Sequence, residues 1–377
     1  MERKFLVSLV SDQTIPNVEL IKEFDDISKY LFIYTPQKTR QLKWIIEATN
    51  LSEDIIDKIE VNAFDIADIE KKLNAFNFDE AEYIVNITGG TKLMILVVQE
   101  FFKNIGAKIF YITGQNKEFI KVFPSIGKRK YALKSSLTLR EYLTSYGFEY
   151  KNTSPSKDKA QSKRLFDFFI DAKKEELIKL IEPIRLMRGR NFPIDNQNLN
   201  DFLEEINYQV ENNTLNKKDT KYLSGDWFEE FIYYKIKNEL NLSDDEIATG
   251  IQIKKENTPN EIDVIFVFNH QLYIIECKTS IIERRKITVI RNGVKQEEEK
   301  DIKFLPGILN KSDALRNKFG LYAKTSIITL ETIKDNDNKP LPGYESHLER
   351  AKLWRIQVIS RNDLKSTLSI LKQLNIR

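Results

Sequence analysis

The segment YIVNITGGTKLM, Tyr83–Met94, predicts a buried strand, a tight turn and a helix in succession. Tyr83–Ile87 is apolar, and Leu93–Phe102 has apolar residues at helical spacing, so the Gly89-Gly90 pair lies at a strand-to-helix junction. Glycines let a backbone approach a ligand closely, and the free amides at a helix N-terminus favour negative charge. Lys92 adds a positive charge. The turn therefore predicts an anion site, with phosphate as the expected anion.

The sequence of this turn allows two other interpretations. The spacing GxxxxGK[ST] of a nucleotide-triphosphate loop is absent, and so is the GxGxxG dinucleotide fingerprint, which makes ATP and NAD less favoured ligands. The alternative without function is that the glycines make a tight turn and that Lys92 is solvated. Polar residues at the ends of the neighbouring strands favour the binding site over that alternative.

Strands and helices alternate on both sides of this segment, which predicts a mostly parallel sheet covered by helices. Strands are predicted at Phe5–Val10, Tyr30–Tyr34, Lys58–Ala63, Tyr83–Ile87 and Lys108–Ile112, with helices near Gln37–Ala48, Ile66–Phe76 and Thr91–Asn104 and a helix start at Pro16. Ligands of such sheets bind beyond the carboxyl ends of the strands. The candidate binding residues at these ends are Ser11, Asp12, Gln13, Thr14, Asn17, Thr35, Gln37, Thr88, Gly89, Gly90, Thr91, Lys92, Thr113 and Gly114.

Length and composition limit the class of protein. At 377 residues the chain is long for one hydrophobic core, so two domains are expected. Its 59 Lys and Arg residues nearly balance its 56 Asp and Glu residues, so a binding site for a polyanion must be local. The single cysteine, Cys277, cannot form an internal disulfide, and no signal peptide or long apolar run is apparent. We therefore expect a cytoplasmic protein.

The pattern changes near Pro124, where the first domain is expected to end. Further elements are a strand at Lys117–Phe123, a short helix at Leu137–Phe148, an exposed linker at Lys151–Lys163, and helices at about Arg164–Leu180 and Leu199–Val210. We assign residues 1–150 to the first domain, 151–220 to a linker and helical segment, and 221–377 to the second domain.

A helix predicted for Ser224–Leu240 carries two adjacent acidic residues. Trp227, Phe231 and Tyr234 fall at helical spacing and are expected to pack inward. Glu229 or Glu230 then projects at an adjacent angle. Taken alone, both glutamates would be ordinary surface charges.

The segment NEIDVIFVFNHQLYIIECKTS, Asn260–Ser280, predicts a β-hairpin whose two-residue turn is Asn269-His270. Pairing counted back from that turn places Asp263 opposite Glu276, and strand alternation places Lys278 on the same face. Two partly desolvated carboxylates repel each other, so a divalent metal is the expected compensation. Lys278 would stabilise developing charge or help to activate water, which suits hydrolysis of a phosphodiester.

Cys277 and His270, which neighbour these charged residues, are predicted to have structural rather than catalytic roles. Cys277 is predicted to be a packed thiol, because it points away from the three charged residues and no histidine is near it in sequence. His270 is predicted to be a turn residue rather than a base. The charged segment Ile281–Asp301, with an Asn292-Gly293 turn, is predicted to be a hairpin that either contacts substrate or is solvated. The alternative for Asp263, Glu276 and Lys278 is that they belong to an exposed, charged sheet face without a function.

At these residues the chain resembles two known families. Asp263, Glu276 and Lys278 on a hairpin resemble the D-x12-E-x-K motif of the PD-(D/E)xK restriction-endonuclease-like superfamily, and the sequence G-x-W-F-E at Gly225–Glu229 resembles its metal-site helix. Ile262 stands where the superfamily name has proline. The N-terminal third resembles the CARF domains that sense cyclic oligoadenylates in type III CRISPR immunity. The expected fold is α/β, a Rossmann-like CARF domain followed by an α/β restriction-endonuclease-like domain.

The resemblance implies a set of partners and roles. Asp263, Glu276 and Glu229 would hold Mn²⁺ or Mg²⁺, with Lys278 as a further catalytic residue, and cyclic tetra-adenylate would activate the enzyme allosterically. A ring-shaped activator bound across a two-fold axis implies a homodimer. Single-stranded RNA and DNA are the expected substrates, with nicking of duplex DNA as an addition. The alternatives are a restriction-type DNA endonuclease that needs no ligand, and a CARF regulator that binds nucleic acid without cutting it.

Overall fold

The computed structural model describes residues 3–114, 117–151, 153–172, 174–291, 294–335, 337–366 and 369–376. Within these ranges, the helices are all too short or too polar to cross a membrane.

The N-terminal third forms a seven-stranded sheet. Its strands are β1 (Lys4–Leu9), β2 (Lys29–Tyr34), β3 (Ile56–Glu60), β4 (Glu82–Asn86), β5 (Lys108–Ile112), β6 (Glu118–Phe123) and β7 (Lys130–Ala132), and its helices are α1 (Ile15–Glu23), α2 (Thr39–Thr49), α3 (Ile66–Ala75) and α4 (Lys92–Asn104). The order is β3-β2-β1-β4-β5-β6-β7, with parallel pairing from β3 to β5 and antiparallel pairing beyond. The predicted mostly parallel sheet is confirmed.

Side-chain alternation along β1 explains why helices cover both faces of this sheet. Val7 and Leu9 pack into a cluster on one face, and Leu6 packs into a second cluster on the other. The strand order reverses between β1 and β4, because β1 pairs with β2 on one side and with β4 on the other. A crevice opens at such a reversal, beyond the carboxyl ends of the two strands. The segments after β1 and β4 are therefore adjacent.

The rest of the chain forms a second, six-stranded sheet with helices and two small ribbons. Its elements are α5 (Leu139–Ser145), β8 (Glu149–Lys151), α6 (Lys159–Asp171), α7 (Lys174–Leu186), β9 (Phe192–Pro193), α8 (Gln197–Glu205), β10 (Thr214–Leu215), α9 (Lys217–Lys221), α10 (Trp227–Leu240), β11 (Ile247–Lys255), β12 (Thr258–Phe268), β13 (Gln271–Lys278), β14 (Ile282–Arg291), β15 (Val294–Lys303), α11 (Leu305–Arg316), β16 (Lys324–Thr329), α12 (Glu345–Leu353), β17 (Gln357–Ile359), α13 (Arg361–Ser366) and α14 (Ile370–Gln373). The order of the large sheet is β17-β16-β13-β12-β11-β8. The protein is a mixed α/β chain, as expected.

The helical segment between the sheets differs from its prediction in three places, one of which is that α8 ends at Glu205 rather than near Val210. The linker predicted for Lys151–Lys163 is wrong over its last residues, because α6 begins at Lys159 with the Asp158 side chain as its N-cap. The helix predicted for Arg164–Leu180 is two helices. At the break, the Arg361 guanidinium donates hydrogen bonds to the carbonyl oxygens of Phe169 and Ala172 at the end of α6.

Strand β8 lies in the second sheet although it precedes the helical segment in sequence. Gln252 pairs with Lys151, and Lys254 pairs with Glu149. Helix α5, just before β8, also packs into the core beneath this sheet through Leu139 and Leu143. The predicted limit at residue 150 therefore falls within an edge strand of the second sheet, and the three-part division of the chain stays a prediction.

The charged segment after β13 forms a hairpin, as predicted. Strands β14 and β15 pair antiparallel from Ile282↔Lys303 to Arg291↔Val294. The Asn292-Gly293 turn lies outside the described residues.

Candidate functional site

The β12–β13 hairpin brings the predicted acidic residues together. Asn269 and His270 both have positive φ angles, 55° and 62°, which is the geometry of a two-residue type I′ turn. The pairing runs from Phe268↔Gln271 to Val264↔Ile275, so the predicted register is confirmed. Asp263 and Glu276 are the next residues beyond the Val264↔Ile275 pair, within the two strands.

Lys278 lies between the two carboxylates. Its Nζ is 2.8 Å from Asp263 Oδ2 and 2.9 Å from Glu276 Oε1. Both acids are nearly buried, with side-chain exposures of 9% for Asp263 and 10% for Glu276. The backbone N–H of Cys277 also donates to Asp263 Oδ2 at 2.7 Å. The structure therefore gathers the three residues predicted from the hairpin on one patch.

Burial and mutual repulsion control the protonation of this patch. Desolvation and the neighbouring Glu276 raise the pKa of Asp263, and Lys278 acts in the opposite direction. Burial acts to lower the pKa of Lys278, but Asp263 and Glu276 outweigh it and raise that pKa. The ammonium group is therefore held in its charged form. Lys278 therefore compensates part of the negative charge of this patch.

The two adjacent glutamates of α10 have different surroundings. Glu229 lies on α10, which contacts β12 and β13, and burial, Asp263 and Asp226 raise its pKa to about 9. Glu230 instead accepts hydrogen bonds from the backbone N–H groups of Ser156 and Lys157, and thereby holds the loop before α6. The sequence did not show which of Glu229 and Glu230 approaches the acidic patch, and the structure favours Glu229.

The packing of α10 explains this orientation. Trp227 is buried and stacks on Phe169 with ring centroids 5.0 Å apart, and Phe231 stacks on Phe166 at 3.9 Å. These contacts, predicted from helical spacing, fix the rotation of the helix. Glu229 lies on the side that faces the β12–β13 hairpin.

Cys277 and His270 lie as the sequence indicated. The Cys277 thiol is buried among apolar side chains, and burial raises its pKa well above the ordinary range. His270 occupies the hairpin turn, where its Nδ1 is 3.1 Å from Glu19 Oε1 of α1. Both side chains are nearly buried, and desolvation raises the pKa of Glu19. His270 thereby joins the hairpin to the first domain rather than to the acidic patch.

Sequence reasoning missed a second lysine at this patch. Lys311 of α11 places its Nζ 3.1 Å from both Oε1 and Oε2 of Glu276. It lies far along the chain from the hairpin, and its contact depends on how α11 packs against the sheet. No local sequence pattern predicted this contact.

The donors fit a hard divalent cation by their chemistry. Asp263, Glu276 and Glu229 supply carboxylate oxygens, and the Cys277 carbonyl faces the same side because it accepts from Lys278 Nζ at 3.1 Å. Within the described ranges, however, no three His, Cys, Asp or Glu side chains are close enough together to hold a metal ion as they stand. Lys278 and Lys311 hold the carboxylates in this arrangement.

The crevice between β1 and β4 contains the other set of predicted residues. Asp12 Oδ1 accepts from Lys38 Nζ at 2.6 Å and from Gln41 Nε2 at 2.8 Å. An anion site with an aspartate would repel its ligand, but Lys38 offsets this charge. Lys38 and Gln41 follow the Thr35-Pro36-Gln37 strand end and were not singled out from the sequence.

Several predicted ligand side chains hold the crevice backbone in place. The Asn17 amide donates to the Leu9 carbonyl and accepts from Asn86, and Thr88 Oγ1 accepts from the Ile112 N–H. Thr91 Oγ1 accepts from the Met94 N–H as the N-cap of α4. Thr113 acts in the same way, since its hydroxyl donates to the Glu118 carbonyl, whereas Thr14 and Thr35 are buried. Their side chains shape the site.

The β4–α4 turn lies against the end of β1. A Cβ on Gly89 would be 2.3 Å from the Leu9 carbonyl oxygen, and Gly90 has a φ of +84°. Both positions therefore require glycine. Lys92 and Gln37 are exposed, and Ser11 is half-buried, so these side chains remain accessible from the crevice.

Gln13 and Gly114 contact the second half of the chain. Gln13 Oε1 accepts from the Leu321 N–H at 3.0 Å and lies 3.3 Å from the Tyr146 hydroxyl. A Cβ on Gly114 would be 2.1 Å from the Tyr322 hydroxyl oxygen, so the tyrosine packs directly on this glycine. The crevice is thus partly bounded by residues of the second domain.

The fold and the two sites define a two-domain protein in which a Rossmann-like domain with a polar crevice is joined to a domain with an acidic, lysine-bearing patch. Two family models match the chain, the Card1 CARF domain over residues 5–142 and the Card1-like endonuclease domain over residues 216–374. The chain belongs to the Card1-like family, which combines a CARF domain with an endonuclease domain. Among curated protein sequences there is no significant match.

Solved structures share the fold over almost the whole chain. Protein VC1899 from Vibrio cholerae is 18% identical with a TM-score of 0.74, covering 98% of this chain and 97% of that one. Can2 from Sulfobacillus thermosulfidooxidans, solved with cyclic tetra-adenylate, is 20% identical with a TM-score of 0.72, covering 99% and 98%. Both likenesses concern the fold, which is that of two-domain proteins of similar length.

Proposed function

We propose that the protein is a nuclease activated by cyclic tetra-adenylate that acts with a divalent metal on single-stranded RNA and DNA, and nicks duplex DNA, in type III CRISPR antiviral defence. The observation that carries the proposal is the cluster of Asp263, Glu276 and Lys278 within the part of the chain matched by the endonuclease model. A buried acidic pair with a lysine between its carboxylates is suited to phosphodiester hydrolysis.

Each residue of the patch has a distinct proposed role. Asp263, Glu276 and Glu229 would hold Mn²⁺ or Mg²⁺, which when bound polarises a phosphoryl oxygen and lowers the pKa of a coordinated water. Lys278 keeps its positive charge and is placed to bind the charge that develops on the phosphate. The Cys277 N–H fixes the orientation of the Asp263 carboxylate.

The crevice of the first domain is the proposed activator site. The amides of the β4–α4 turn and Lys92 supply positive potential, Lys38 offsets the charge of Asp12, and the crevice lies where the strand order reverses. The similarly folded Can2 was solved with cyclic tetra-adenylate. We propose that this chain binds the same ligand in its crevice.

A homodimer completes the proposed activator site, because a ring with two-fold symmetry fits a site shared by two subunits. Phe64 and Leu96 are 78% and 63% exposed. Phe64 follows Ala63, whose carbonyl accepts from Thr91 Oγ1 at the β4–α4 turn. An apolar surface thus lies beside the crevice, where a second copy of the chain would bury it.

A cleavage assay tests the proposal directly. Labelled single-stranded RNA and DNA and a supercoiled plasmid are incubated with the protein with and without cyclic tetra-adenylate, and with Mn²⁺, Mg²⁺ or EDTA. We expect cutting that requires both activator and metal. Cutting without activator would favour the unregulated restriction-type endonuclease, and tight nucleic-acid binding without any cutting would favour the non-cutting regulator.

A further inference from the structure

Lys311 forms an ion pair with Glu276, an acidic residue on which the proposed chemistry depends. Its Nζ lies 3.1 Å from both carboxylate oxygens of Glu276, and Lys278 Nζ lies 2.9 Å from one of them. Glu276 is nearly buried, whereas the Lys311 side chain is 45% exposed. Both oxygens of this acid are therefore engaged by ammonium groups, one of which comes from a separate element, α11.

A carboxylate held in this way is a weak ligand for a metal ion. A divalent cation approaching Glu276 is repelled by both lysines and has to displace one of them. Lys311 is the one that can leave at lower cost, because its flexible stem already reaches solvent. Lys278 is less exposed and is also bound to Asp263.

The chain that follows Lys311 leads to the crevice of the first domain. Helix α11 ends at Arg316, and Phe319 is buried and stacked on Phe148 with centroids 4.3 Å apart. Beyond it, the Leu321 N–H donates to Gln13 and Tyr322 packs on Gly114. One continuous segment, residues 311–322, thus contacts the acidic patch at one end and the proposed activator site at the other.

Gly320 makes this approach possible. It has a φ of +80°, and a Cβ there would lie 2.0 Å from the Tyr146 hydroxyl oxygen and 2.8 Å from Gln13 Oε1. The segment therefore reaches the crevice closely only with glycine at this position. An activator whose hydroxyl or amino group donates a hydrogen bond to Gln13 Oε1 competes with the Leu321 N–H for that oxygen.

We propose that Lys311 is a positioning residue that keeps Glu276 from binding metal in the absence of activator, and that residues 311–322 withdraw it when the activator takes Gln13. The inference rests on the proposed function and names how the two sites are coupled. It requires a two-state element that both ligands bias, and the 311–322 segment is that element.

The first test measures Mn²⁺ affinity of the full-length, activator-free protein by isothermal titration calorimetry and by electron paramagnetic resonance of free Mn²⁺. Lys311→Ala should bind Mn²⁺ about tenfold more tightly than wild type. The matched control, Lys318→Ala, removes an exposed lysine of the same segment and should bind as wild type does. Saturating wild type with cyclic tetra-adenylate should bring it to the affinity of Lys311→Ala. Equal affinities of wild type and Lys311→Ala would overturn the proposal.

The second test addresses the link to the crevice. Leu321→Pro removes the N–H that bonds to Gln13, and Leu321→Ala keeps it while removing the same exposed side chain. We expect Leu321→Pro to tighten Mn²⁺ binding in the same direction as Lys311→Ala, and Leu321→Ala to leave it unchanged. The double variant Lys311→Ala/Leu321→Pro should bind Mn²⁺ no more tightly than Lys311→Ala alone. Wild-type affinity in Leu321→Pro would overturn the proposed link.

Cleavage separates this inference from the proposed function. Lys311→Ala should cut without activator, at a rate approaching that of activated wild type. Loss of cutting by this variant in the presence of activator, with Mn²⁺ affinity unchanged, would make Lys311 a substrate-contacting residue and overturn the proposal. Absence of cutting by activated wild type would overturn the proposed function, while the Mn²⁺ affinities still decide the role of Lys311.

Discussion

Glu229 and Glu230 show how neighbouring residues of one type acquire different tasks. Glu229 faces Asp263, and burial raises its pKa from 4.5 to about 9, whereas Glu230 is paired with the backbone before α6. The folded protein keeps a proton on Glu229 that the unfolded chain releases above about pH 4.5. Stability is therefore lost as the pH rises from about 4.5 to about 9.

Glu229→Gln should remove this loss. We expect the metal-free variant to be more stable than wild type at pH 8 by at least about 1 kcal/mol, with a difference that shrinks toward pH 5. The matched variant Glu230→Gln should be less stable than wild type, because it weakens the hydrogen bonds to Ser156 and Lys157. Urea denaturation at several pH values measures both effects. A pH-independent difference for Glu229→Gln would contradict the prediction.

Glu276→Gln tests the acidic patch while keeping the size of the side chain. We expect loss of cleavage, because one of the proposed metal ligands loses its charge, with activator affinity at the distant crevice unchanged. Glu349→Gln, an exposed change on α12, serves as the control and should cut as wild type does. Full cutting by Glu276→Gln would end the nuclease assignment for this patch.

The hairpin site was predictable from sequence because its geometry is local. A two-residue turn at Asn269-His270 sets the register, and strand alternation then determines which side chains share a face. Lys311 and Lys38 were not predictable, since each reaches its acidic partner through the packing of another element. Tertiary contacts of this kind leave no periodic signal along the chain.

At the scale of elements, the β4–α4 turn depends on close approach to β1. Gly89→Ala would place a methyl group 2.3 Å from the Leu9 carbonyl oxygen, and the turn would have to move. We expect a loss of about 2 to 3 kcal/mol in stability and loss of activator binding. Gly106→Ala, at the other end of α4, is the control.

The control isolates the effect of the clash. Gly106 also has a positive φ, +78°, but a Cβ there would meet no atom within 4 Å. Gly106→Ala should cost about 1 kcal/mol of stability and leave activator binding unchanged. Thermal unfolding and equilibrium binding of cyclic tetra-adenylate measure the two quantities. Normal activator binding by Gly89→Ala would show that the turn does not form the site.

Lys92→Ala tests the charge at the same turn. Lys92 is exposed at the first position of α4, where a phosphate would be in reach. We expect the activator midpoint to rise at least about tenfold, with Mn²⁺ affinity unchanged. Lys103→Ala, at the last turn of α4, is the matched control. An unshifted midpoint would mean that this turn does not hold the activator.

The alternation of the first sheet was predictable, and the helices of the segment after it were predicted in part. Apolar strands followed by amphipathic helices gave the correct order from β1 to β5. At the break between α6 and α7, the freed carbonyls bond to Arg361, nearly two hundred residues away, a contact that the local sequence pattern does not show. Strand β8 is only three residues long and gains its place by pairing with β11.

At the scale of the whole molecule, the proposed homodimer predicts that the apolar surface beside the crevice is buried in solution. Leu96→Asp should give monomers and abolish activation, because each subunit then offers half of the activator site. Ile126→Asp, which changes a residue of similar exposure in the same half of the chain, should stay dimeric. Light scattering after size exclusion measures both. A dimeric and fully activated Leu96→Asp would refute the predicted interface.

The placement of β8 has a consequence for synthesis of the protein on the ribosome. Glu149–Lys151 emerges about 100 residues before its partners in β11, a wait of roughly 5 to 20 s at ordinary elongation rates. During that interval the finished first domain can hold α5, since Lys22 pairs with Glu141 and Trp44 packs on Gly147. The first domain therefore offers α5 a binding surface before β11 is synthesised.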